Sequence, residues 1–418
     1  MRALWRQTRS FSAPTRLLMV NQFAINLAFY MLMPYLAAHL AGPLGLAAWA
    51  VGLVLGVRNF SQQGMFLVGG TIADRFGYKA PIMAGCLLRT AGFGLLGAVD
   101  SLPALIATSA ATGFAGALFN PAVRAYLAAE AGDRRVDAFA TFNVYYQAGM
   151  FLGPLVGLAL LAIDFRTVCA VSAAVFAVLT VLQWRALPDR HGTGAGSTGP
   201  AGSVLAQWRS VVANRPFLLF AAAMTGSYVL TFQVYLALPL VAGDSLGVNA
   251  TKVTTGLFVV SAAVAVAGQL RLTAWAKDRW SPHQALAAGL SCMGLAFVPL
   301  AFTPRDSPVM TLVALVAAVV LLAVGGAVVY PFEMDTVVAL CDNRLVATHY
   351  GLYNTVSGVG ITLGNLAVGA LWDFAQDHRA AWLTWGVLVA VGFGCAVSVT
   401  VLARSGRLAG REVAQAAG

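Results

Sequence analysis

Apolar stretches long enough to cross a bilayer recur along this whole chain, separated by short polar connections. A helix rises about 1.5 Å per residue, so roughly 20 apolar residues match the hydrocarbon thickness. Hydropathy places such spans near residues 17–40, 48–72, 80–99, 103–128, 138–163 and 166–187. A second set follows near 216–242, 250–275, 282–302, 308–334, 349–372 and 380–402. Charged residues make up only 10% of the chain, too few to clothe a water-soluble core of this size. Lipid offers the backbone no hydrogen bonds, which favours helices. The sequence therefore predicts an all-α integral membrane protein with 12 transmembrane helices. The first stretch, Arg16 to Leu40, exceeds a signal-peptide core and has no small-residue cleavage site after it, so it reads as a retained span.

Between the two sets lies Pro188 to Arg215, whose middle, GTGAGSTGPAGS, has the composition of a flexible linker. Ser203 to Asn214 then sets Val204, Leu205, Trp208, Val211 and Val212 on one helical face, which predicts a helix lying on the membrane surface. The expected organisation is one six-helix bundle over 1–187, a cytoplasmic linker over 188–215, and a second six-helix bundle over 216–418. With the N-terminus placed inside, 18 Lys and Arg fall on the inner side and four on the outer. That bias predicts cytoplasmic termini and a multi-pass protein of the plasma (inner) membrane. The net charge of +10 follows from the same bias, and no basic run interleaves with aromatics as a nucleic-acid partner would require. The bilayer is the expected partner, around a monomer. Cys86, Cys169, Cys292, Cys341 and Cys395 are scattered without metal-ligand spacing, so no metal is expected.

The halves repeat. GTIADRFGYK (Gly70 to Lys79) after span 2 is matched by AWAKDRWSPH (Ala274 to His283) after span 8. GALFNP (Gly116 to Pro121) in span 4 is matched by GAVVYP (Gly326 to Pro331) in span 10. Asn143, Gly149 and Gly153 in span 5 are matched by Asn354, Gly360 and Gly364 in span 11. Parallel repeats of this kind suit two bundles related by pseudo-twofold symmetry about the membrane normal. Within the first motif Gly77 permits a tight turn and Gly70 a close helix approach, while Arg75 and Lys79 add inner positive charge. Asp74 is expected to sit at the positive end of span 11, near Thr348 to Tyr350, and Asp278 with Arg279 to do the same for span 5 near Asp137.

This loop resembles the signature between helices 2 and 3 of the major facilitator superfamily, and layout and repeat agree with that family over essentially the whole chain. The resemblance implies two six-helix bundles with helices 1, 4, 7 and 10 lining a cavity. Gly149, Gly153, Pro154 and Gly157 in span 5 are similar to the GxxxGPxxG element of the family's drug/proton antiporters. RNFSQQG, GALFNP and DFRTVC further resemble bacterial multidrug-resistance exporters of the superfamily (the MdtH-like branch). The chain departs from that pattern in two places. Ser109 stands four residues before Gly113, where such antiporters often carry Arg, and span 1 has Gln22, Asn26 and Tyr30 in place of an acid.

A charge in hydrocarbon is costly and marks a position that requires explanation. Arg58, with Asn59, Gln62 and Gln63, is expected to meet a cavity or span 11, and Arg89 to bond carbonyls and polar groups inside its own bundle. Gln22, Asn26 and Tyr30 form a polar stripe on span 1. Thr225, Tyr228, Phe232 and Tyr235 form an aromatic one on span 7. Both stripes are expected to line the substrate path, an aromatic, uncharged wall suited to moderately hydrophobic ligands. Glu333 and Asp335 in span 10, opposite Arg124 at the matching place in span 4, are the candidate coupling and gate residues. No nucleophile–base pair or cofactor loop appears, so an enzyme is not expected. The sequence points to a secondary transporter of small molecules, driven by a proton gradient without a cofactor, exporting amphipathic compounds by alternating access. A nutrient importer of the same fold is the alternative, and a receptor or membrane enzyme is more remote.

Overall fold

The computed structural model describes residues 2–189, 203–246, 250–304, 307–378, 380 and 382–408. The centre of the Gly/Ser-rich linker, Arg305 and Arg379 lie outside the described residues. The first helices are α1 (Arg2–Arg9), α2 (Ala13–Ala41), α3 (Ala48–Gln63), α4 (Phe66–Phe76), α5 (Lys79–Leu96), α6 (Leu102–Ala131), α7 (Arg135–Leu161) and α8 (Phe165–Ala186). After the linker come α9 (Val204–Val212), α10 (Arg215–Phe232), α11 (Ala237–Leu246), α12 (Ala250–Arg279), α13 (Pro282–Leu295) and α14 (Val298–Ala301). The chain finishes with α15 (Pro308–Leu340), α16 (Val346–Asp377) and α17 (Trp382–Arg404).

Each expected span corresponds to one of these helices or to a broken pair. By length and hydropathy alone, nine continuous stretches among the described residues could cross a membrane. One of them, Leu102–Leu161, is α6 and α7 joined through the short turn Gly132–Arg134, which makes it two spans. Span 2 is interrupted at Gly64 and Met65, so it divides into α3 and α4. Span 7 is also interrupted. The Gln233 backbone N–H turns to the Leu230 carbonyl at 3.2 Å, and the Gln233 side chain donates in its place to the Val229 carbonyl at 2.8 Å. The expected stripe along span 7 therefore ends at Phe232. Tyr235 falls in the turn, exposed, with its ring 5.6 Å from Phe232 and 5.2 Å from Phe258.

The chain forms two compact units, Met1–Asn214 with Asn343–Thr355, and Arg215–Asp342 with Val356–Gly418. In the first, α2 packs along α7, α6 along α3, α4 and α5, and α8 along α5 and α2. In the second, α15 packs on α12 and α13, and α17 on α13 and α10. The first ten residues of α16 belong to the first unit and the rest to the second.

Glycine sets how closely these helices pack. A Cβ at Gly149 would collide with the Phe23 carbonyl of α2, one at Gly153 with Tyr30 Cβ at 2.7 Å, and one at Gly157 with the Met31 carbonyl. The expected groove on span 5 is thus filled by α2. Pro154 lies inside α7, and its carbonyl accepts from the Tyr35 hydroxyl at 2.6 Å. At the start of α8, Asp164 caps the helix by accepting from the Thr167 N–H at 2.5 Å. Hydrogen bonds from Thr167 hold its carboxyl below the usual range. The expected surface helix is α9, capped by Ser203. It buries Val211 and leaves Leu205 and Val212 exposed. A helix the sequence did not announce, α1, lies before the first span, and Thr8 Oγ1 stands 3.2 Å from the Tyr145 hydroxyl of α7.

Gly157→Val should force α7 away from α2 and cost about 1–3 kcal/mol through overpacking. Gly256→Ala in α12, where an added Cβ meets nothing within 4 Å, is the matched control and should be neutral or slightly stabilising. Melting temperatures of the purified proteins in detergent check this; equal values for the two variants would contradict the packing account.

Candidate functional site

The end of α4 carries Asp74, only 7% exposed. Its Oδ1 accepts from the Ala347 N–H at 3.1 Å, and its Oδ2 from the Thr348 N–H at 2.7 Å and the Thr348 hydroxyl at 2.6 Å. Three donors at the first turn of α16 converge on one carboxylate, which satisfies N–H groups a helix start leaves open. Two glycines make the approach possible. A Cβ at Gly70 would collide with the Ala347 carbonyl, and one at Gly351 with the Phe66 carbonyl. Gly77 turns the chain into α5 at φ 81°. Lys79 pairs with Asp189 at 3.8 Å, and Arg75 is half-buried.

Several neighbours of this node were not legible in the motif. The Trp208 indole N–H of α9 donates to Thr71 Oγ1 at 2.8 Å, three residues from Asp74. His349, next to Thr348, has Nδ1 2.9 Å from the Leu345 carbonyl. A carbonyl can only accept, so Nδ1 donates, and in neutral imidazole Nε2 is left to accept from Asn214 Nδ2 at 3.4 Å. Leu345 itself is left-handed at φ 50°, a strained conformation for a leucine. One α16 turn farther, Arg124 Nη1 of α6 donates to Asn354 Oδ1 at 2.7 Å, and the Thr355 hydroxyl donates to the Gln63 carbonyl at 3.1 Å. The signals available for these contacts were a tryptophan on an amphipathic segment and a threonine beginning a span. Neither says which residue it will reach.

Deeper in the first unit, Gln22 and Asn26 are buried on α2, and Asn26 Nδ2 donates to the Gln22 carbonyl at 2.7 Å. Tyr30 is half-buried. Arg58 Nη1 donates to Asn59 Oδ1 at 2.8 Å, and its Nη2 to Gln62 Oε1 at 3.1 Å. Its guanidinium also lies 4.6 Å from the Phe29 ring centre. Arg89 differs from expectation: among the described residues it donates no hydrogen bond to a carbonyl or amide. Two aromatic faces flank it instead, Phe29 of α2 at 5.0 Å and Phe176 of α8 at 5.3 Å.

In the second unit, Glu333 is buried and Asp335 half-buried, both inside α15, which extends beyond the expected end of its span. Tyr228 is half-buried on α10. Asp278 and Arg279 are exposed at the end of α12, with the Arg279 guanidinium 5.2 Å from the Trp275 ring centre. The copy of the first motif is therefore not buried as Asp74 is.

A sequence description of the Major Facilitator Superfamily matches residues 18–365. The chain belongs to that superfamily. It is 56% identical to an uncharacterized MFS-type transporter of Mycobacterium tuberculosis (strain H37Rv), over 92% of each chain. It is 30% identical to the multidrug resistance protein MdtH of Enterobacter sp. (strain 638), over 90% of each. Among solved structures it resembles the Escherichia coli fucose:proton symporter FucP, with TM-score 0.72 and 15% identity, covering 92% of this chain and 98% of that one. It also resembles the human organic anion transporter MFSD10, with TM-score 0.68 and 14% identity, covering 93% and 99%. As a superfamily member this chain is a multi-pass membrane transporter that handles small-molecule substrates, not an enzyme.

In this transporter Asp74→Asn turns one acceptor of the α4–α16 node into a donor facing donors. An orphaned buried donor costs about 1–3 kcal/mol. Cysteines placed in α4 and in the first turn of α16 should crosslink several-fold less in Asp74→Asn, with folded yield retained. Unchanged crosslinking would contradict the role given to the carboxylate.

Proposed function

We propose that this chain is a proton-coupled exporter of small amphipathic compounds that works by alternating access in the plasma membrane, with its termini in the cytoplasm. The observation that carries the reading is the Asp74 node. A buried carboxylate held by three donors at one helix start is a contact that is either made or lost, as a gate requires. In this reading the node, with Gly70, Arg75, Gly77 and Lys79, closes the cytoplasmic end, and Asp278 with Arg279 serve the repeat. The export direction is supported by the 30% identity to a multidrug resistance protein. The GxxxGPxxG element adds to it, although its glycines also have a packing role against α2. Gln22, Asn26, Tyr30, Arg58 and Gln62 are assigned to the substrate wall of the first unit, and Tyr228 and Tyr235 to that of the second.

Proton coupling needs a group that titrates. Glu333 and Asp335 are assigned that role because carboxylates are scarce in the spans, and Arg124 is assigned to the gate. Import is the second reading, favoured by the fold shared with a fucose:proton symporter.

Flux of labelled amphipathic compounds in proteoliposomes, with and without an imposed pH gradient, tests the assignment. Outward-directed accumulation that collapses with the gradient is expected, and the Glu333→Gln/Asp335→Asn double variant should retain only downhill exchange. A double variant that still builds a gradient would remove these acids from coupling. Tyr228→Ala should narrow the range of compounds carried, most of all for large flat ones, while leaving yield intact. Loss of every substrate together with expression would mean the ring only supports the fold.

A further inference from the structure

We infer that the cargo carries a negative charge, and that Arg58 and Arg89 of the first unit form the site that receives its anionic group. This rests on the transport reading above and adds the charge of the substrate to it. Both guanidiniums face the one Phe29 ring of α2, at 4.6 and 5.0 Å. The titratable groups acting on them are Tyr30, Cys86 and each other, and among the described residues neither pairs with a carboxylate. Arg58 spends its two terminal nitrogens on neutral amide oxygens of Asn59 and Gln62. Nε of each arginine is buried with no acceptor. Arg89, 5% exposed, lies against the Phe29 and Phe176 rings.

Aromatic rings attract a cation without neutralising it. Two like charges on one ring, in a medium where charge is costly, are left with an uncompensated positive field. A carboxylate, sulfonate or phosphate supplies the missing charge and accepts from the guanidinium fork in two parallel bonds. Gln62 stands where an internal counter-ion would otherwise be. A Cβ at Gly116 of α6 would meet Arg89 Nη2 at 3.0 Å and Gln62 Cδ at 3.1 Å, so this half-buried amide reaches the Arg89 side while already accepting from Arg58. The chain thus places a neutral acceptor between two cations and leaves the charge to a ligand. Tyr30 and Phe29 provide the apolar, aromatic surface for the rest of an amphipathic molecule.

Three naphthalenes of similar size separate the alternatives: the 2-sulfonate, the 2-methylammonium and 2-naphthol. Melting of the purified full chain in detergent should shift upward with the sulfonate at concentrations where the other two do nothing. Arg58→Gln should weaken the sulfonate response about tenfold or more, and Arg58→Lys should recover part of it. Gln62→Glu is the decisive variant, because it supplies the counter-charge internally. It should melt higher than the parent without ligand and lose the sulfonate response, a result misfolding cannot imitate. The inference is overturned if the ammonium or naphthol shifts melting as much as the sulfonate, or if sulfonate shifts nothing. It is also overturned if chloride alone gives the full shift, or if Gln62→Glu keeps the sulfonate response. Flux of the same series keeps the two readings apart: transport of the ammonium but not the sulfonate would remove only the charge assignment. Binding of the sulfonate with no flux of any of the three, with or without a pH gradient, would remove the proposed export of amphipathic compounds.

Discussion

Hydrocarbon has no water to lend, so every polar group in these spans must find its partner inside the protein or carry a cost. The backbone meets this by being helical. The hydroxyls meet it one at a time, by turning back onto the carbonyl four residues earlier. Thr90 does so to Cys86, Thr141 to Asp137, Thr180 to Phe176, Thr225 to Ala221, Thr336 to Phe332 and Thr400 to Ala396. Against that thrift, groups that reach across to another helix stand out. Asp74 on α16, Trp208 on Thr71, Arg124 on Asn354 and Gln269 on the Ala327 carbonyl at 2.6 Å are among the polar contacts that fix one helix against another. Between them packing depends on shape, and shape on glycine. Gly69 faces the Ala117 carbonyl and Gly113 the Arg58 carbonyl, so α6 lies flush against α4 and α3.

The spans were legible because hydropathy depends only on local sequence, and the same is true of the repeat and of the turn at Gly77. The cap-like position of Asp74 was legible because a carboxylate near a helix start has few alternatives. What the sequence hid is set by partners far along the chain. Arg89 looked like a residue needing carbonyls, and the rings around it come from Phe29 and Phe176, each more than fifty positions away. The interruption after Phe232 was hidden for another reason. Pro239 lies inside α11, beyond the turn, and the turn itself depends on the Gln233 side chain taking the Val229 carbonyl that its own N–H has left for Leu230. The α1 helix escaped because it is short and polar, and hydropathy has nothing to register there.

The departures from the family's pattern acquire a physical context in this arrangement. Span 1 lacks an acid and span 4 lacks its usual arginine. Positive charge nevertheless enters the interior of the first unit through α3 and α5. The two arginines are shielded by aromatic faces and neutral amides, a setting that tolerates cations without satisfying them. Among the described residues neither arginine has a carboxylate paired with it.

One more consequence follows from the interruption at Gly64 and Met65. A continuous rod transmits torque from end to end, whereas a rod cut at mid-length does not. Below the cut, α4 carries the carboxylate gripped by α16; above it, α3 carries the arginine that leans on Phe29. The grip on α16 and the lean on Phe29 are thus borne by separate helical pieces, each seated against α6 by its own close contact, at Gly69 and at Gly113.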